Sequence, residues 1–146
     1  MALLLLAAGT TLALAACAAP HPRDLVVGED QCRYCRMEIT DPRFGAQVIL
    51  STGRIETFDS VECAAGFVRE LPAEQRATVW VADYTSGAWV RADSAAFVVG
   101  AATRAPMGAT VAYATRSAAA AAAGASDRVV EWAAVVAATA AEHGGH

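Results

Sequence analysis

Lysine is absent from this sequence, and its three histidines, His21, His143 and His146, all lie in the terminal segments. Arginine is therefore the only strong base, the net charge is −4 and no basic run occurs. A nucleic-acid surface needs clustered positive charge, so that class is excluded. The middle of the chain offers no imidazole. This argues against a zinc hydrolase, a histidine-based nucleophilic site and a blue-copper electron-transfer centre. Apolar runs are short as well. The longest, Leu3 to Ala16, is broken by Gly9, Thr10 and Thr11 and falls short of the roughly 20 residues a transmembrane helix needs. Large core-forming side chains are scarcer than the 55 % hydrophobic content suggests, because much of that content is alanine. Val, Ile, Leu, Phe, Trp and Tyr cluster between Phe44 and Trp132, enough for one domain in a chain of 146 residues.

The apolar stretch has the length of a secretory signal core and ends Leu14-Ala15-Ala16-Cys17. Small residues before a cysteine are the pattern of a bacterial lipobox, in which that cysteine is diacylated and becomes the mature N-terminus. The positively charged opening of such signals is missing here. With Cys17 lipidated, Cys32, Cys35 and Cys63 remain, and an odd number of thiols outside the cytoplasm cannot all pair internally. At least one is bound, protected or reactive.

Residues 18–31, with two prolines and scattered charge, read as a flexible tether. Phe44 to Leu50 and Arg54 to Phe58 read as strands around the turn Ser51-Thr52-Gly53. Asp59-Ser60-Val61-Glu62 supplies an N-cap and an acidic first turn for a helix ending near Leu71-Pro72, followed by a strand over Ala77 to Ala82. The order repeats more weakly. Trp89-Val90, Phe97 to Val99 and Thr110 to Ala114 read as strands, Ser117 caps the alanine run Ala118 to Ala123, and Val129-Val130 is a short strand. A last helix spans about Glu131 to Ala141. The expected fold is α+β, two sequential ββαβ units in one small domain. The chain divides into a signal peptide (1–16), a lipidated N-terminus and tether (17–31), a folded domain (32–141) and a mobile tail (142–146).

Two segments carry chemistry. Cys32-Arg33-Tyr34-Cys35-Arg36-Met37 gathers two thiols and a thioether, soft donors that select Cu(I) over harder ions. Structural zinc, thiol–disulfide exchange, Cu(I) transfer and a plain disulfide all compete for this Cys-x-x-Cys. Zinc lacks a second cysteine pair or histidines, since only Cys63 is left to add. Exchange wants its first cysteine at a helix N-terminus after a strand, and Pro42 leaves little room for a helix beyond Met37. Pro106-Met107-Gly108 is the second segment, a loop methionine whose bland alternative is packing against the core.

Taken in order, these pieces resemble the NosL-type lipoproteins, accessory proteins for nitrous oxide reductase. The resemblance runs from about Asp30 to Trp132. It is carried by Cys32-x-x-Cys35-x-Met37, Phe58-Asp59 before the Cys63 helix and Val79 to Asp83-Tyr84. Trp89-Val90-x-Ala92 with Phe97-Val98-Val99-Gly100, and Pro106-Met107-Gly108, complete it. Arg36 departs from the family, which usually has Gly before this methionine. The resemblance implies a non-enzymatic, periplasm-facing Cu(I) metallochaperone whose ligands are a cysteine and a distant methionine, matching Cys32 and Met107. Cys35 and Met37 are the reserve ligands, and Cys63 is expected to be buried structure. The implied acceptor is apo nitrous oxide reductase or its assembly machinery, with the lipid on Cys17 holding the carrier to the cell-envelope membrane. Ala18 is not the aspartate associated with inner-membrane retention, which leaves the outer membrane open as a destination. The rival functions are a membrane-tethered thiol–disulfide oxidoreductase using Cys32 and Cys35, and a general periplasmic copper-binding protein.

Overall fold

A computed structural model describes residues 20–100 and 105–143. Strand β1 (Ala46–Leu50) is buried along its whole length, as expected of a central strand flanked on both edges. It turns through Gly53, whose φ of +83° is natural for glycine, into β2 (Ile55–Phe58). Helix α1 (Val61–Glu70) follows, capped by the Ser60 side chain, which accepts from the Cys63 N–H. The chain returns as β3 (Arg76–Ala82), antiparallel to β1 on its other edge. The segment read as opening the second half, β4 (Trp89–Arg91), pairs instead with β3, giving a first sheet of order β2-β1-β3-β4.

A second antiparallel sheet, of order β6-β5-β7, is built from β5 (Ala96–Val99), β6 (Thr110–Tyr113) and β7 (Arg128–Val130). Helix α2 (Arg116–Ala122) lies between β6 and β7, and Thr115 caps it in place of Ser117 because its hydroxyl reaches the Ala118 N–H. Helix α3 (Trp132–His143) takes in Glu142 and His143, two residues expected to belong to the tail, and packs on α1. The result is a small mixed α/β domain whose described residues form two antiparallel sheets and three helices. Asp83 joins the sheets. It follows β3, and its Oδ1 accepts from the Ala114 N–H beyond β6 at 2.8 Å.

The main core lies between the two sheets, α1 and α3, with Phe58, Val61, Val81 and Phe97 fully buried. A smaller core under α2 centres on Val98, Val111 and Tyr113. Part of the expected tether belongs to the fold. Gln47, buried on β1, exchanges two hydrogen bonds with the Arg23 backbone, and Leu25 covers Gly45 so closely that a Cβ there would come within 2.4 Å. Proline and charge signalled a free segment, but a side chain reaching across from a strand to hold a backbone leaves little trace in composition. No helix among the described residues is long and apolar enough to cross a membrane. Cys17, the expected signal segment and His146 lie outside the described residues.

Candidate metal centre

Two elements converge to make the site. One is the cysteine loop, a tight hairpin closed by an isolated bridge between Gln31 and Glu38. Within it the Cys32 N–H donates to the Met37 carbonyl at 2.8 Å, and the Arg36 N–H donates to the Cys32 carbonyl at 3.0 Å. The reversal forces Arg36 to φ +67°, a region glycine occupies freely and other residues rarely. The end of β2 holds the loop in place. The Arg33 N–H donates to the Thr57 carbonyl at 2.8 Å, and the Thr57 hydroxyl donates to the Gln31 carbonyl at 2.9 Å. Tyr34 reaches over α1, where its hydroxyl donates to Glu70 at 3.0 Å.

The other element is the start of α1. Asp59 precedes the Ser60 cap and Cys63 follows that cap by three residues, in the first turn, and both side chains face the cysteine loop. One donor atom from each of Cys32, Cys35, Asp59 and Cys63 lies within 4.8 Å of all the others. Cys32, Asp59 and Cys63 are only 1 %, 2 % and 3 % exposed, whereas Cys35 is half-buried and opens the cluster to the outside. The Cys35 thiol lies 3.6 Å from both Asp59 carboxylate oxygens. All three thiols are free.

Their proton affinities diverge. Cys32 is lowered to about 6, chiefly because the Cys63 thiol donates to it, with the backbone N–H groups of Asp59 and Cys35 adding to the effect against the cost of burial. Cys63 is correspondingly raised by that same hydrogen bond and by burial. Cys35 is pushed up to about 11, first by burial and then by its negative neighbours Cys32 and Asp59. The cluster thus holds one thiolate cradled by donors and two thiols whose protons a soft metal would displace.

The sequence-predicted residues divide accordingly. Cys32 and Cys35 meet in the cluster, and Met37, 51 % exposed, closes their loop. Met107 sits on the β5–β6 loop, 43 % exposed, and lines a cavity with Glu62, the residue preceding Cys63. Cys63 is buried as expected, yet it is also a member of the donor set. Sequence reasoning read Asp59 only as part of the helix start and missed it as a donor. Its place beside a helix cap, four residues before a cysteine, was the available signal. Counting cysteines alone had left zinc one ligand short, and Asp59 supplies the fourth donor. His21 lies elsewhere, its ring 5.5 Å from that of Trp80 on β3. Cys32 occupies a hairpin loop, so the cysteine at a helix N-terminus is Cys63.

One similar solved structure is the crystal structure of the copper chaperone NosL from Shewanella denitrificans. Its TM-score is 0.59 at 20 % identity, over 70 % of this chain and 86 % of that one, a likeness of fold. No curated protein matches the sequence. The NosL family model matches residues 25–139, which takes in the cysteine loop, the start of α1 and the Met107 loop, and the chain belongs to the NosL family.

Proposed function

We propose that this protein is a Cu(I) metallochaperone, anchored to the cell-envelope membrane through lipid on Cys17. It hands copper to apo nitrous oxide reductase or its assembly machinery and is not an enzyme. The observation that carries the reading is the convergence of Cys32, Cys35 and Cys63 with Asp59 within 4.8 Å, one edge of the group open through half-buried Cys35. Three thiols favour the soft monovalent ion. Met37 and Met107, both exposed, add thioethers that suit Cu(I) and do little for zinc. Cu(I) is the cargo. Cys32 supplies the anionic donor, Cys35 or Cys63 a second thiolate after losing its proton, and Met107 or Met37 a neutral donor that an acceptor displaces. Low coordination number lets the acceptor join before the carrier lets go. The two sheets, each with a helix joining the two strands that flank its central pairing strand (β1 or β5), read as two sequential ββαβ units.

Competitive titration of the reduced protein with Cu(I) and Zn(II) tests the metal. Tighter Cu(I) binding is expected, and a tighter four-coordinate zinc complex would overturn the reading. Cys35→Ser separates the chaperone from a thiol oxidoreductase, because exchange activity is then abolished while copper binding is weakened or intact. Cys17→Ser is expected to move the protein from the membrane to the soluble fraction, and continued membrane retention would remove the anchor from the proposal.

A further inference from the structure

We infer that Glu62 is a positioning residue that fixes the Met107 loop onto the same helical turn that carries Cys63. This rests on the reading of Met107 as a copper donor. Glu62 lies in the first turn of α1 between Val61 and Cys63, which are both buried and hold the turn rigid. From there one carboxylate oxygen, Oε1, accepts from the backbone N–H of Ala109 at 3.0 Å and of Thr110 at 2.8 Å. Gly108 permits the approach, because a Cβ on that residue would fall 2.3 Å from the same oxygen. Gly108, Ala109 and the first residue of β6, Thr110, thus rest on one side chain. The loop itself is a tight reversal, with a bridge between Ala105 and Gly108 enclosing Pro106 and Met107. The position of Met107 is thereby tied to α1 through this side chain.

The other carboxylate oxygen, Oε2, is buried and has no hydrogen-bond partner among the described residues. An unsatisfied buried polar atom costs stability, a cost set against the two hydrogen bonds that Oε1 accepts from the loop. The side chain faces a cavity of about 370 Å³ that Met107, Val130 and Val135 also line. Met107 and its anchor therefore share one space beside the turn that delivers Cys63 to the cluster.

The test uses the full chain, purified in detergent and kept reduced, with Cu(I) affinity measured against a chromogenic Cu(I) chelator. Met107→Ala is expected to weaken binding about tenfold, equivalent to about 1.4 kcal/mol. Glu62→Ala should weaken it by a similar factor, and the double variant by no more than either single one, since both remove the same donor. Glu62→Gln should retain parental affinity, because its amide oxygen can still accept both N–H groups. Gly108→Ala breaks the grip from the loop side and should reproduce the loss, which decides the matter if Glu62→Ala does not fold. Parental affinity in Met107→Ala would overturn both the donor reading and this inference. Weak binding in Met107→Ala with parental binding in Glu62→Ala would overturn the inference alone. So would a Glu62→Ala loss that persists undiminished in the Met107→Ala background, or a Glu62→Gln loss as large as that of Glu62→Ala.

Discussion

Tyr34 lies across the face of Gly66, so close that a Cβ on this glycine would stand 2.8 Å from the Tyr34 Cζ. The glycine sits inside α1, where alanine would ordinarily be better by about 1 kcal/mol. Overpacking costs about 1–3 kcal/mol, so the clash outweighs the propensity gain. Gly66→Ala is expected to lower stability in chemical denaturation and to weaken Cu(I) binding, because Tyr34 stands between Cys32 and Cys35 and moves their loop with it. In a Tyr34→Ala background the sign should reverse, with Gly66→Ala now stabilising. Destabilisation of equal size in both backgrounds would show that the close approach is not the reason for glycine here.

Arg36 offers the opposite test, a residue where glycine would serve better. A left-handed conformation costs an L-residue roughly 1–2 kcal/mol. Glycine gives back about 0.4–1 kcal/mol through the greater freedom of its unfolded chain. Arg36→Gly should therefore stabilise the protein by about 0.5–1 kcal/mol, while the β-branched Arg36→Val should destabilise it. An unchanged or lower denaturation midpoint for Arg36→Gly would mean that the guanidinium makes a compensating contribution.

The stability of the metal-free, reduced protein should depend on pH in two opposing ways. Cys32 is lowered to about 6 from an ordinary 9.0, so its contribution is complete above the unfolded value and is lost as pH falls through about 6. Cys35 is raised to about 11, so its contribution is complete below the unfolded value and is lost as pH rises from there towards 11. Cys63, also raised, acts in the same direction as Cys35. Denaturation midpoints should climb between about pH 6 and 9 and decline beyond that. A flat profile over this range would contradict a thiolate at Cys32.

How legible the site was depended on whether its parts were local. The hairpin of β1 and β2 and the cap of α1 were visible because turn glycine, period and Ser60 all act within a few residues. The partner of β4 was not visible. Trp89-Val90 looks alike on either sheet, and the register Val81↔Val90, set across the short turn after β3, assigns it to the first. Thr115 displaced Ser117 as a cap because both hydroxyls stand before the alanine run, and backbone geometry alone chose between them. At the site, Cys-x-x-Cys-x-Met was legible as a soft motif. The part played by Asp59 and Cys63 was not, since it depends on α1 pointing its first turn at a loop some 25 residues earlier. Glu62, whose partners lie more than 45 residues away, left no sequence signal at all.

Cys63 is where the two roles of a buried thiol can be separated. As a hydrogen-bond donor it holds Cys32 in its thiolate form, and as a soft atom within the donor set it can bind Cu(I). Cys63→Ser keeps a hydroxyl able to donate to Cys32 but replaces sulfur with a hard oxygen that Cu(I) disfavours. Cys63→Ala removes both capacities. Thiolate absorbance followed against pH should show Cys32 titrating near its parental value in Cys63→Ser and clearly higher in Cys63→Ala. Cu(I) affinity should fall in both variants, and further in Cys63→Ala, where more protons compete for Cys32 at neutral pH. Parental Cu(I) affinity in Cys63→Ser would make Cys63 a donor to Cys32 alone, leaving the metal to Cys32, Cys35 and the two methionines.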